Sequence, residues 1–161
     1  MNQDAYVVGA DVFLPNLFFC KNYGAYDDLV FADVRYLPFS SDSFDLILAC
    51  EIIEHLSKED GYVLLEDLER IASGRIIIST PNVDIPQDAI NGNIHEIHKT
   101  RWTVGDFRKR GFKVKGIGVK FSIKRFLSPV DTVLRFLLFP GWLFPRASRF
   151  ICAYKDKENP P

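Results

Sequence analysis

The stretch DLVFADVRYLPFSSDSFDLILACEIIEHL, residues 28–56, decides the fold. It contains two apolar segments, 28–33 and 44–50, and an acidic residue ends the first and directly follows the second. Short apolar runs bounded by turn residues predict buried strands of a parallel sheet. The earlier segment from Tyr6 to Ala10 has the same pattern. The acids that follow these three predicted strands are Asp11, Asp33 and Glu51.

Helices and strands alternate along the rest of the chain. Predicted helices begin after Phe13, Ser57 and Thr103, and the glycines expected to end them are Gly24, Gly74 and Gly111. Further strands are predicted at 75–80, 112–121 and 148–155. This alternation predicts an α/β fold with a mainly parallel sheet covered by helices on both faces.

Composition limits the possible functions. The chain has 161 residues and a net charge of −1, which suits one domain and gives no general attraction to nucleic acid or membranes. The three cysteines have no metal-ligand spacing, and we expect them to be reduced and buried in a cytoplasmic protein. The most apolar stretch, 133–144, is too short to span a bilayer, so no transmembrane segment is predicted.

The acids at the predicted strand ends indicate a nucleoside site. In open α/β sheets, ligands bind outside the carboxyl ends of the strands. One carboxylate there can accept hydrogen bonds from both ribose hydroxyls, and another can accept one from the exocyclic amine of adenine. An acid at a strand end can also serve only as a turn former, and this second interpretation stays open.

The segments 7–17, 28–56 and 74–82 together resemble the class I S-adenosylmethionine-dependent methyltransferases, and the resemblance extends over residues 5–125. It implies a Rossmann-like fold with a last antiparallel strand and S-adenosylmethionine as the cofactor. The implied cofactor-binding residues are Asp11 and Val12 at the ribose, Asp33 and Val34 at the adenine, and Cys50 and Glu51 at the end of their strand. Glu54 and His55 would begin the next helix, where we interpret them as structural.

The family's first strand and its glycine-rich loop have no counterpart before Tyr6. That strand is central in the family, so its loss predicts two unpaired strand edges around an apolar gap. Three explanations stay open: a sequence that starts downstream of its natural beginning, a decayed paralogue, or a second chain that fills the gap. The function implied is a methyltransferase that is incomplete at its N-terminus. The alternative is a non-catalytic methyltransferase-like module that does not bind the cofactor alone.

His95 and His98 are the candidate catalytic residues, because they follow a strand end and can supply a base. No third ligand is spaced to complete a metal site with them, so no metal is predicted. Surface or turn histidines are the alternative. The lysines at 113, 115 and 120 alternate with apolar residues, which predicts an edge strand with one exposed face. An anionic acceptor is the alternative interpretation of these lysines.

We expect a single domain. The region that contains the resemblance is 1–125, an apolar lid or interface occupies 126–147, the last strand is 148–155 and a tail is 156–161. The expected acceptor is a small or lipid-like molecule, and nucleic acid is not expected. The high density of large apolar residues between positions 126 and 144 indicates a contact with a second copy or a partner chain, or else a cap over the sheet.

Overall fold

The computed structural model describes residues 5–118 and 144–157. Its strands are β1 (Val8–Asp11), β2 (Asp28–Phe31), β3 (Phe44–Cys50), β4 (Ala72–Pro81), β5 (Lys113–Ile117) and β6 (Phe150–Asp156). Its α-helices are α1 (Leu14–Tyr23), α2 (Lys58–Ile71) and α3 (Val104–Lys109). Single 3-10 turns cover Ile53–His55, Ile94–Glu96 and Pro145–Ala147. Most of the predicted lid or interface segment, up to residue 143, lies outside the described residues.

The strands form two sheets. In the first, β1 and β2 pair in parallel. In the second, the order is β3-β4-β6-β5, with β3 and β4 parallel and β6 antiparallel to both of its neighbours. The α/β Rossmann-like fold and the last antiparallel strand are therefore confirmed. Of the four strand pairings within the described residues, two are antiparallel, because β6 inserts between β4 and β5.

An apolar gap separates the two sheets. Within the described residues, β1 and β3 are both edge strands, and side chains of both line one cavity of about 160 Å³. Leu46 and Leu48 on β3 are 51% and 63% exposed, which is unusual for leucines in the middle of a strand. The predicted pair of unpaired edges around an apolar gap is confirmed for this part of the chain.

The hydrophobic core lies in the second sheet and its helices. The largest fully buried apolar side chains are Trp102, Phe107, Ile53, Leu64, Leu65, Ile78, Ile151 and Val104. By contrast, α1 has no buried residue, and Phe18 and Phe19 on this helix are 62% and 69% exposed. The unit made of β1, α1 and β2 therefore contributes little to the core.

The predicted helix boundaries at Gly24 and Thr103 are confirmed in detail, and the one at Gly74 is not. Gly24 adopts a left-handed conformation with φ of 71° and its amide donates to Cys20, which ends α1. Thr103 begins α3, and its side chain and backbone exchange hydrogen bonds with Asp106 in a capping box. The prediction for Gly74 is wrong, because α2 ends at Ile71 and Gly74 lies inside β4.

The exposure of two residue types was also predicted. On β5, Lys113 and Lys115 are exposed and Val114 is buried, so the edge strand with one exposed face is confirmed for these residues, whereas Lys120 lies outside the described part of the chain. The prediction of buried cysteines is wrong. Cys50 is exposed on the open edge strand β3, and Cys20 and Cys152 are only partly buried, although all three are free thiols.

No helix within residues 5–118 and 144–157 has the length and apolar character needed to cross a membrane.

Candidate active site

A cavity of about 200 Å³ lies at the carboxyl ends of β1, β2 and β3. Five of the six predicted cofactor-binding residues line it: Asp11, Val12, Asp33, Val34 and Glu51. The sixth, Cys50, does not line this cavity and exposes its side chain at the end of β3. The structure therefore brings together acids that are up to 40 positions apart in the sequence, at the edge of the sheet where the strand pattern placed them.

Asp11 shapes the turn between β1 and α1. One carboxylate oxygen accepts a hydrogen bond from the Phe13 amide at 2.7 Å, and the other accepts from the Asn16 side chain at 2.9 Å. Each oxygen has two lone pairs, so both can accept a further hydrogen bond from the cavity. The role as turn former and the role as ligand acceptor are thus compatible in the same side chain.

Asp33 is held by Arg35, a cation that no pattern in the sequence places in the site. The Arg35 guanidinium donates to both carboxylate oxygens, with contacts of 2.5 to 3.0 Å, and the Arg35 amide donates as well. These bonds lower the pKa of Asp33 below its usual value and outweigh the effect of its partial burial. Arg35 fixes the carboxylate at the cavity wall, and it also takes up part of the hydrogen-bonding capacity of Asp33.

Glu51 has an unusual backbone conformation. Its φ is 54°, in the left-handed region that non-glycine residues rarely adopt. The conformation is maintained by two bonds to β4: the Glu51 amide donates to the Ser79 carbonyl at 3.0 Å, and the Ser79 hydroxyl donates to the Glu51 carboxylate at 2.7 Å. Backbone conformations of this kind cluster at functional sites. The conformation places the Glu51 side chain on the cavity.

The two candidate catalytic histidines are placed differently. His95 is exposed and lines the cavity, close enough to Asp33 to lower the pKa of that carboxyl slightly further. His98 does not line the cavity. Its Nδ1 lies 2.6 Å from the Ile85 carbonyl, and its ring packs edge-on against His55 with centroids 4.8 Å apart.

Glu54 and His55 lie beside the cavity in a 3-10 turn rather than at the start of α2. Glu54 is buried and accepts a hydrogen bond from Thr80 at 2.9 Å. Burial raises the pKa of Glu54 to about 7, with a smaller contribution from the nearby Glu51. The signal for this group in the sequence is the Glu51-x-x-Glu54-His55 spacing directly after a strand. From sequence alone, that spacing is interpreted as structural.

The sequence comparison identifies the first part of the chain. Residues 1–78 match a family model described as a methyltransferase domain. No curated protein matches the chain significantly in sequence.

Solved structures match over almost the whole chain. An S-adenosylmethionine-dependent methyltransferase from Archaeoglobus fulgidus has a TM-score of 0.61 at 17% identity, with 93% of this chain and 75% of that chain covered. One from Mesorhizobium loti has a TM-score of 0.60 at 16% identity, with 94% and 80% covered. A complex of the Trm112 methyltransferase activator and a methyltransferase from Haloferax volcanii has a TM-score of 0.60 at 16% identity, with 96% and 72% covered.

The family model and the shared fold agree. Residues 1–78 therefore match a methyltransferase domain, and the described fold is the one seen in these solved S-adenosylmethionine-dependent methyltransferases.

Proposed function

We propose that this chain is an S-adenosylmethionine-dependent methyltransferase domain that binds the adenosine half of its cofactor in the cavity at the ends of β1, β2 and β3. The observation that carries the proposal is the convergence of Asp11, Asp33 and Glu51 on this one cavity. Asp11 accepts hydrogen bonds from the ribose hydroxyls, and Asp33 accepts one from the adenine amine. Val12 and Val34 provide apolar contacts beside them.

Methyl transfer requires mainly that the acceptor be positioned in line with the sulfonium and that water be excluded. The chain offers His95 at the cavity wall as a base for an acceptor that must lose a proton. We propose a small or lipid-like molecule as the acceptor.

The alternative function is a non-catalytic module of the same family. The observation in its favour is the apolar gap, because the gap cavity adjoins the cofactor cavity and Ala10, Val34 and Ile52 line both. An unpaired, apolar sheet edge is a surface on which another strand can pair. The structurally similar methyltransferase from Haloferax volcanii was solved in a complex with an activator protein. In this chain, a partner chain over the gap would complete the sheet.

Binding of S-adenosylhomocysteine tests the proposal. We expect this chain alone to bind weakly, since the gap leaves the cavity open on one side. An NMR titration is therefore suitable, because it detects dissociation constants up to the millimolar range. Asp11→Asn keeps an oxygen for the Phe13 amide and removes the charge. Replacing charge-assisted hydrogen bonds with neutral ones costs about 1.4 kcal/mol, so we expect about tenfold weaker binding.

The matched control is Asp27→Asn. Asp27 lies in the same unit and accepts a hydrogen bond from the Val7 amide at 2.7 Å, but it does not line the cavity. Its variant should bind as the wild type does. Absence of any saturable shift in wild type at millimolar S-adenosylhomocysteine would refute cofactor binding by this chain and favour the non-catalytic module. Equal affinity in Asp11→Asn and wild type would remove Asp11 from the site.

A further inference from the structure

Three side chains with metal-ligand atoms meet beside the cavity. A carboxylate oxygen of Glu54 and one ring nitrogen each of His55 and His98 lie within 4.8 Å of one another. With metal–ligand distances of about 2.1 Å, two ligands of one ion lie up to about 4.2 Å apart. Small rotations of the side chains therefore bring all three atoms onto one ion.

Hydrogen bonds to the backbone select the tautomer of both histidines. Nδ1 of His55 lies 3.3 Å from the Ile97 carbonyl, and Nδ1 of His98 lies 2.6 Å from the Ile85 carbonyl. A carbonyl oxygen only accepts, so each Nδ1 carries the proton and each neutral ring has its lone pair on Nε2. Histidines that bind metals usually make this kind of second hydrogen bond, because it orients the ring and makes the free nitrogen more basic.

Two carboxylates lie near the histidines, and the Glu96 carboxylate accepts one hydrogen bond, from the Asn93 side chain at 3.4 Å to its Oε1. Glu54 is only 2% exposed, and its Oε1 has no hydrogen-bond partner within residues 5–118 and 144–157, although its Oε2 accepts from Thr80. The Oε2 of Glu96 lies 3.9 Å from Nε2 of His55. With the proton of His55 on Nδ1, the lone pair of Nε2 faces this carboxylate. A cation between these groups compensates the buried oxygen of Glu54 and separates the two opposed lone pairs.

We propose that Glu54, His55 and His98 bind one divalent transition-metal ion, with Glu96 as an additional carboxylate ligand. Two imidazoles and carboxylates suit Zn²⁺, Co²⁺ or Mn²⁺, whereas Mg²⁺ and Ca²⁺ prefer oxygen ligands alone. His55 and Glu96 also line the predicted cofactor cavity, so the ion lies at its wall. The site uses only residues of this chain and does not require the cofactor to be bound.

The test is a calorimetric titration of the untagged, chelator-treated protein with Zn²⁺, Mn²⁺ and Mg²⁺, without cofactor. We expect one equivalent of Zn²⁺ or Mn²⁺ to bind, with a dissociation constant at or below about 10 µM, and Mg²⁺ to bind at least tenfold more weakly. Co²⁺ should give visible absorption bands of a site with nitrogen ligands. Because the readout is metal binding, failure of cofactor binding does not affect the result.

His98→Gln removes one ligand and should weaken binding of Zn²⁺ at least about tenfold. His95→Gln is the matched control, because His95 is close to His98 in sequence but does not belong to the group of Glu54, His55 and His98. The His95→Gln variant should bind Zn²⁺ with the affinity of wild type. Circular dichroism melting of the metal-free variants shows whether both are folded. If His98→Gln does not fold, Glu96→Gln replaces it, with several-fold weaker binding expected.

Three results would overturn the proposal. They are no saturable binding of Zn²⁺, Mn²⁺ or Co²⁺ by wild type, equal affinity in wild type and the folded ligand variant, and Mg²⁺ binding tighter than that of the transition metals.

Discussion

Trp102 joins the loop that carries the candidate histidines to the core. It is fully buried, and its Nε1 donates to the Ile53 carbonyl and the Thr100 hydroxyl, both at 3.1 Å. The Lys58 ammonium lies 3.7 Å from the centroid of its ring. Because Ile53 immediately precedes Glu54, this contact also supports the turn beside the cavity. We therefore predict a large effect for Trp102→Phe.

The expected cost of Trp102→Phe follows from three losses. The smaller ring buries about 50 Å² less apolar surface, which costs about 1.3 kcal/mol. The lost hydrogen bond to the Ile53 carbonyl costs about 1 kcal/mol, since that carbonyl keeps a second donor in the Leu56 amide. A weaker interaction with Lys58 costs about 0.5 kcal/mol. The free energy of unfolding should therefore fall by about 2 to 3 kcal/mol.

Urea unfolding followed by circular dichroism measures this change. With a slope of about 2 kcal/mol/M, the midpoint should shift down by about 1 M. Phe18→Leu, which shortens an exposed aromatic side chain on α1, is the control and should shift the midpoint by less than about 0.3 M. A shift of Trp102→Phe as small as that of the control would refute the reasoning. If Trp102→Phe is already unfolded without urea, its loss of free energy of unfolding is at least as large as the total stability of wild type, which agrees with the prediction.

Two further predictions concern the pH dependence and the packing of the sheet. Burial alone would raise the pKa of Asp106, but hydrogen bonds from Thr103 and Lys58 outweigh it and lower the pKa below the ordinary 3.8. The stability that these bonds provide is therefore present above about pH 4 and is lost as the pH falls through the lowered value. Melting temperatures of wild type and Asp106→Asn should converge toward pH 3, and a constant difference between pH 3 and 7 would contradict this. Gly74→Ala should destabilise by more than about 2 kcal/mol in urea, because a Cβ there would lie 2.2 Å from a backbone oxygen of β3. Gly105→Ala is its control, with the nearest atom at 3.5 Å, and similar midpoints for the two variants would exclude the steric explanation.

Local sequence signals predicted the elements well, and tertiary contacts explain the errors. The end of α1 at Gly24 and the start of α3 at Thr103 depend on backbone geometry within a few residues, which the sequence shows directly. Gly74 has the same residue type as Gly24 but a different role. It is glycine because the backbone of Asp45 on β3 passes over it, and β3 lies 29 positions earlier in the chain.

The site divides in the same way. The position of Asp11, Asp33 and Glu51 at one sheet edge follows from the strand pattern, because parallel strands end on the same side. The contact of Arg35 with Asp33 depends on the conformation of a turn, which composition does not specify. The approach of His98 to His55 joins positions 43 residues apart through the loop after β4. A pattern of spacing along one segment contains no information about such a contact.

The two proposed sites rest on parts of the fold that differ in packing. Asp11 and Asp33 belong to the unit of β1, α1 and β2, where Ala32 is the only buried apolar residue within the described part of the chain. Glu54 is anchored through Thr80 on β4, and its neighbour Ile53 is held by Trp102 in the core. Regions with few buried contacts open at lower free energy than the core does. The geometry of the metal site should therefore persist when the unit of β1, α1 and β2 separates from the sheet that contains β3. The cofactor site, by contrast, needs that unit and β3 together. The protein could therefore bind the metal without measurable binding of the cofactor. A strand paired between β1 and β3 would join the two halves of the cofactor site and leave the metal ligands unchanged.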